Sequence, residues 1–294
     1  MNLGFSKDEV LRYSRNASLP EVGWHGQQRL RSSSVLLVGV GGIGSASALY
    51  LAAAGVGRIG LVDSDTVELS NLQRQVLFRT HDMDSVKVES AKEAIFDLNP
   101  YCVVETYHTR LGHAMKLREI LKDYDAVIDG SDNFCTRFLV ADCSWIEGVP
   151  LISASALGFQ GQLLVVIPSP GNSCYRCLIP EPRPDYRMAT CRQAGILGGV
   201  VGVMGSLAAV ETVKLFLGHD RGMAHRFLAY DGLRCRFVEG ERVRDPDCEL
   251  CGELSTSTDP VDGDSVHFEG CHGIGAVLER EGLEASRTCV GAGR

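Results

Sequence analysis

The chain has 294 residues, 45% of them hydrophobic and 22% charged, with 33 glycines and a formal charge of −8. That length suits one large domain or two modest ones. The acidic balance leaves no basic excess to neutralise a phosphate backbone, so a nucleic-acid partner is not expected.

The first residues, Met1 to Asn16, mix charged and apolar side chains and hold no uninterrupted apolar run, so a secretory leader is not expected either. The most apolar stretch, Ile196–Leu217, is interrupted by Glu211 and Lys214. Its charge-free part is shorter than the roughly 20 residues of a membrane span, and its glycines suit a tightly packed internal helix. Eleven cysteines without an export signal read as thiols or metal ligands rather than disulfides, and the expected compartment is the cytoplasm.

In chain order, a polar helical segment fills the first 30 residues, with Arg12 and Arg15 one turn apart. An apolar strand follows over Ser34–Val40, then a helix over Ser45–Ala54 stopped by Gly55 and Gly57. Strands are expected at Arg58–Val62, Val103–Tyr107, Asp125–Asp129 and Leu151–Ser153. Helices are expected at Lys87–Leu98, around Lys116–Leu121 and from Asn133. This alternation predicts an α/β protein, a Rossmann-like and mostly parallel sheet with helices on both faces. After Ala156 the pattern changes: Gly161–Ile167 and His225–Leu228 read as strands of an antiparallel region around a Pro-rich loop. The expected organisation is one unit over 1–251, with a nucleotide-binding part at about 31–156 and a metal-pinned part at about 157–251. The Gly-, Ser- and Asp-rich residues 252–294 read as a poorly structured tail.

Gly39, Gly41, Gly42 and Gly44 stand between a strand and a helix, where glycine lets backbone approach phosphates and the helix N-terminus offers free N–H groups. Asp63 closes the next strand, placed to accept hydrogen bonds from ribose hydroxyls. These features point to an adenine nucleotide and leave NAD and ATP both open. Asn71, Arg74 and Lys87 follow Asp63, and that cluster suits a triphosphate whose leaving group must be neutralised better than it suits a pyrophosphate bridge.

Further stretches carry a specific resemblance. RYSR at 12–15, GVGGIG at 39–44, DSDTVELSNLQRQ at 63–75, DGSDN at 129–133, CYRCL at 174–178, CRQAGILG at 191–198 and CELC at 248–251 occur in order over roughly residues 10–251. In these the sequence resembles the adenylyltransferases of thiamine and molybdopterin biosynthesis, the ThiF/MoeB/HesA group related to ubiquitin-activating enzymes. It looks closest to the thiamine type. The resemblance implies a homodimer that adenylates the C-terminal Gly-Gly of a ubiquitin-like sulfur-carrier protein with ATP and Mg²⁺. It implies Asp63 on the ribose, Arg15, Lys87 and Asn71 on the phosphates, Arg74 reaching into the other subunit's site, and Asp132 holding Mg²⁺. Asp132 could instead cap the following helix together with Asn133.

Cys174-x-x-Cys177 and Cys248-x-x-Cys251 can each occupy one edge of a tetrahedron, so the two pairs predict a closed, structural four-thiolate zinc site. A redox-active pair would not need the second. Cys191 has no such partner and has Arg187 and Arg192 nearby, charges that favour its thiolate; a catalytic or sulfur-handling role is one reading of it. Cys102, Cys135, Cys143 and Cys235 read as packing residues, and the eight histidines show no ligand spacing. No segment here reads as a sulfurtransferase, so a separate sulfur donor is expected. The rivals are a molybdopterin-type adenylyltransferase or a relative serving another sulfur metabolite, an NAD-dependent oxidoreductase, and a non-catalytic partner subunit.

Overall fold

In the computed structural model, which describes residues 4–179, 195–219 and 222–253, the chain opens with a helix set by its own cap. The Glu9 N–H donates to the Ser6 hydroxyl at 3.2 Å and the Ser6 N–H donates to the Glu9 carboxylate at 2.8 Å. This capping box starts α1 (Lys7–Ala17), and α2 (Gly23–Ser32) packs against it.

An alternating series follows: β1 (Ser34–Val38), α3 (Gly42–Ala54), β2 (Arg58–Asp63), α4 (Lys87–Leu98), β3 (Val103–His108), α5 (Ala114–Leu121), β4 (Ala126–Asp129), α6 (Phe134–Glu147) and β5 (Leu151–Leu157). Then come β6 (Gln160–Val166), the one-turn α7 (Tyr175–Leu178), α8 (Gly198–Leu217), β7 (Arg226–Asp231) and β8 (Arg236–Glu241).

All eight strands form one sheet in the order β3-β2-β1-β4-β5-β6-β7-β8. The first five are parallel and the last three pairings antiparallel. Every residue of β1 is buried, because successive side chains serve opposite faces of a covered parallel sheet. Val35 and Leu37 join Leu51 of α3, Ile95 of α4 and Met204 of α8 in one core. Leu36 and Val38 join Leu117 of α5 and Phe138 of α6 in the other.

Among the described residues α8 alone has the length and apolarity to cross a membrane, yet here it lies along α3 and the sheet. The contact with α3 is close because Gly205 carries no side chain. A Cβ there would stand 2.6 Å from the Ile43 carbonyl oxygen and 2.8 Å from the Ala46 Cβ. The Ser47 hydroxyl also donates to the Gly205 carbonyl at 2.9 Å, replacing the hydration its polar group loses.

The expected strands and helices occur at or within a few residues of their anticipated limits, and Lys87–Leu98 is a helix over that whole range. Two differences have a physical cause. β5 runs on to Leu157 because β6 pairs with it through all seven residues. β8 went unanticipated because RFVEGE is half polar and lies at the sheet edge, where only one flank pairs and no core face enforces alternation. The tail residues from 254 onward lie outside the described residues.

The packing predicts opposite outcomes at two glycines of one helix. Gly205→Ala should overpack the α3–α8 seam and destabilise by about 1–3 kcal/mol. Gly202→Ala meets no atom within 4 Å and should be neutral or stabilise by up to about 1 kcal/mol. Urea unfolding of both variants checks this, and equal destabilisation would contradict it.

Candidate nucleotide site and cysteine centre

The turn from β1 into α3 is the floor of a cleft of about 1080 Å³ at the carboxyl ends of the parallel strands. Gly39 adopts φ +87°, which favours glycine, and the Gly130 backbone would press on any side chain there at 3.1 Å. A Cβ on Gly44 would lie 2.1 Å from the Gly39 carbonyl oxygen, so the helix can start this close to the strand only with glycine at that position. Gly41 and Gly42 line the cleft itself. The β1–β4 boundary above them is where the strand order reverses, the position at which open α/β sheets bind ligands.

Asp63 ends β2 beside this turn. Its carboxylate accepts from the Val40 N–H at 2.8 Å and the Asp65 N–H at 2.9 Å, which fixes its orientation across the glycine loop. Burial raises its pKa, while Lys87 at 4.0 Å and the two N–H donors oppose the rise. Lys87 opens α4, is 5% exposed, and donates to Asp65 at 2.9 Å. Asn71 is buried in the turn after β2, and Arg74 donates to the Ser70 carbonyl at 3.0 Å on the same cleft wall. Asp63, Asn71, Arg74 and Lys87 thus line one cavity with the glycine turn. A desolvated ammonium and a guanidinium on one wall give it the means to hold several negative charges.

The loop after β4 forms the opposite rim. Asp129 is fully buried and accepts from the Ser131 N–H at 3.0 Å, the Ser131 hydroxyl at 2.6 Å and the Ser153 hydroxyl at 3.2 Å. Arg137, also buried, faces it at 3.7 Å. These contacts present Asp132, whose carboxylate is exposed and lines the cleft. The cap of α6 is supplied by Asn133, which accepts from the Thr136 N–H at 2.9 Å. The Asp132 carboxylate is therefore not spent on the helix, and a hard oxygen ligand of this kind suits Mg²⁺ beside phosphates.

One expected residue stands elsewhere. Arg15 is exposed on α1 and does not line the cleft. Helix α1 is moored at the far end of α3, where Asn16 donates to the Ala54 carbonyl at 3.3 Å and Tyr13 meets Asn99 at 2.8 Å. The thirteen residues of α3 span about 18 Å, which separates Arg15 from the glycine turn of its own chain. Arg74, implied by the resemblance to serve a second subunit, lines the cleft of its own chain. Cys191, Arg187 and Arg192 lie outside the described residues. Cys102 and Cys143 are buried and Cys135 half-buried. Cys235 departs from its expected packing role: it is exposed at φ 50° in the β7–β8 turn.

Other cleft residues had not been singled out. Asp65 sits within the 63–75 stretch, Arg137 follows the DGSDN motif, and Tyr175 lies inside CYRCL. Their motifs were legible, but their roles depend on contacts between distant segments.

The four paired cysteines converge beside the end of α6, where Trp145 and Ile146 pack against them. Sγ separations are 3.8 Å for Cys174–Cys177, 3.5 Å for Cys174–Cys248 and 3.3 Å for Cys177–Cys251, and all four sulfurs lie within 4.8 Å of one another. A tetrahedral zinc with bonds of about 2.3 Å sets its sulfurs about 3.8 Å apart, so the donor set fits. The hydrogen bond shared with Cys174 lowers the Cys177 thiol to about 5, helped by the Asp245 N–H at 3.4 Å. Cys174 moves up for the same reason, with burial adding to the rise.

The ThiF family model matches residues 13–250, which takes in the glycine turn, both rims of the cleft and three of the four cysteines. The chain belongs to the ThiF family. Its relatives include the sulfur carrier protein adenylyltransferase of Thermus thermophilus, 42% identical over 262 residues that cover 88% of this chain and 96% of the relative. The adenylyltransferase and sulfurtransferase MOCS3 of Anopheles gambiae is 42% identical over 258 residues, covering 87% of this chain and 58% of that protein. The chain thus spans little more than half the length of this two-activity relative. Among solved structures, Escherichia coli MccB with MccA-N7isoASN superposes with a TM-score of 0.73 at 21% identity, over 82% of this chain and 75% of that one. At that identity the likeness is one of fold. In this ThiF-family chain the four-thiolate arrangement predicts one tightly held zinc per chain by elemental analysis. Cys177→Ser should lose it and lower the melting temperature. Unchanged zinc in that variant would contradict the site.

Proposed function

We propose that this protein adenylates the C-terminal Gly-Gly carboxylate of a ubiquitin-like sulfur-carrier protein, as the activating step of thiamine-type sulfur transfer. The observation that carries the reading is the gathering of the glycine turn, Asp63, Asn71, Arg74, Lys87 and Asp132 around one cleft. The name of the Thermus thermophilus relative, which this chain matches over 96% of its length, supports the choice of substrate.

In this reading the turn and the α3 N-terminus cradle the phosphates of ATP, and Asp63 accepts from the ribose hydroxyls. A carrier carboxylate oxygen attacks the α-phosphorus, the bond to the bridging oxygen breaks, and pyrophosphate leaves with its electrons. The products are a carrier acyl-adenylate and pyrophosphate. Arg74 and Lys87 offset the repulsion between carboxylate and triphosphate and stabilise charge on the leaving group. Asp132 would hold Mg²⁺, which supplies charge neutralisation at the phosphates. No protein nucleophile is needed.

The cleft continues past the phosphate wall between Ser155, Ala156 and Leu157 of β5 and the Gly195–Ile196 segment. That segment lies across the β5–β6 turn, with Gly158 donating to the Gly195 carbonyl at 3.0 Å and Leu197 donating to the Gly158 carbonyl at 3.1 Å. An opening bounded this way by a strand and a backbone-paired segment suits an extended tail of glycines. A homodimer, a structural zinc, a cytoplasmic setting and a separate sulfur donor complete the proposal.

The test is ATP–pyrophosphate exchange with Mg²⁺ and individual carriers ending in Gly-Gly. Exchange with a thiamine-pathway carrier is expected, whereas exchange only with a molybdopterin-pathway carrier would reassign the pathway. Absence of exchange with every carrier, in zinc-loaded protein that binds ATP, would overturn the assignment. Asp132→Ala should cut exchange by about 100-fold or more while leaving the melting temperature unchanged, because Asn133 caps α6.

A further inference from the structure

Asp65 stands just past the end of β2, and main-chain bonds fix it against the start of α4. The Lys87 N–H donates to the Asp65 carbonyl at 3.0 Å, and Thr66 and Val86 beside them form an antiparallel bridge. On its other side the Asp65 N–H donates to the Asp63 carboxylate at 2.9 Å. One residue is thus tied both to the acid that ends β2 and to the cation that opens α4. These ties use backbone atoms, so they survive replacement of the Asp65 side chain.

The side chains add an asymmetry. The Lys87 ammonium donates to the Asp65 carboxylate at 2.9 Å but stands 4.0 Å from Asp63, beyond hydrogen-bond range. Among the described residues these are the two carboxylates within 4.0 Å of it. Lys87 is 5% exposed, so its charge has little water to turn to and needs a protein partner. Asp63 is nearly enclosed as well. A carboxylate has about four acceptor positions, and the Val40 and Asp65 N–H groups already use one on each oxygen of Asp63. An ammonium drawn onto Asp63 would therefore compete directly with hydroxyl groups of a ligand.

From this geometry we infer that Asp65 is a positioning residue for nucleotide selection: it holds the Lys87 ammonium off Asp63, which leaves Asp63 open to the ribose hydroxyls. The inference rests on the nucleotide reading above. The charge of Asp65 itself opposes an anionic ligand only weakly, because its side chain is 67% exposed and is screened by water and salt. Its hold on a desolvated ammonium is the larger effect. Without that hold the nearest carboxylate is Asp63, and a small shift of the flexible lysine stem brings the two into contact. The cleft would then keep its cation but lose the acceptor that recognises a ribonucleotide.

The test compares ATP with 2′,3′-dideoxy-ATP, which lacks both hydroxyls, by calorimetric titration of the full chain with Mg²⁺ present. In the wild type the analogue should bind about tenfold or more weakly, as expected for hydrogen bonds to a charged acceptor. Asp65→Ala retains the main-chain bonds and removes only an exposed carboxylate; in it that ratio should fall to about twofold or less. The double variant Asp65→Ala/Lys87→Met removes the ammonium that would cover Asp63. It should regain the wild-type ratio even though both nucleotides bind less tightly, a recovery that mere loosening of the turn would not give. A wild-type ratio in Asp65→Ala, or a lost ratio that the double variant does not restore, would overturn the role of Asp65 while leaving the nucleotide reading intact. Equal binding of the two nucleotides by the wild type would overturn the ribose contact of Asp63 and the inference with it. Failure of the wild type to bind ATP would overturn the nucleotide reading as well.

Discussion

Between β1 and α3 the backbone turns so closely that a methyl group on Gly44 would stand 2.1 Å from the Gly39 carbonyl oxygen. The helix consequently begins directly beneath the strand ends, with its unpaired N–H groups facing the cleft. Asp63 then bridges from β2 to the Val40 N–H, so the second strand helps hold the turn it stands beside. On the other side Gly130 packs on Gly39, which joins the Asp132 rim to the same few atoms. The relative positions of carboxylate, cation and helix terminus all follow from this one contact.

The rest of the sheet serves that arrangement. Five parallel strands supply the carboxyl-end edge at which the order reverses, and covering them on both faces requires the continuous apolar runs of β1, β2 and β4. Strands β6 to β8 extend the same sheet with antiparallel pairing, carrying the chain back toward the cysteine centre. That centre joins the segment before α8 to the residues that follow β8. Its sulfurs pack with Leu250, Trp145 and Ile146 in a small cluster separate from the two cores of the sheet.

Much of this was written in local pattern. The apolar run from Ser34, the glycines after it, the acid at the end of the next strand and the two C-x-x-C pairs each depend on neighbours within a few residues, and spacing alone exposes them. What spacing does not expose is distance through space. Arg15 shares the family's RYSR motif, yet its placement follows from where α1 is moored, through Tyr13 and Asn16 onto the far end of α3. Tyr175 and Phe138 lie 37 positions apart in the sequence and meet only because α7 folds onto α6. Strand β8 carries no core-facing alternation and takes its conformation from β7.

The cleft over the glycine turn, with Lys87 and Arg74 on one wall, suits a triphosphate better than a dinucleotide cofactor. Calorimetric titration of the zinc-loaded protein with ATP, and separately with NAD⁺, in the presence of Mg²⁺ addresses it directly. Saturable binding of ATP at one site per chain, with no heat from NAD⁺, is the expected result. Binding of NAD⁺ at that site with no binding of ATP would contradict the account.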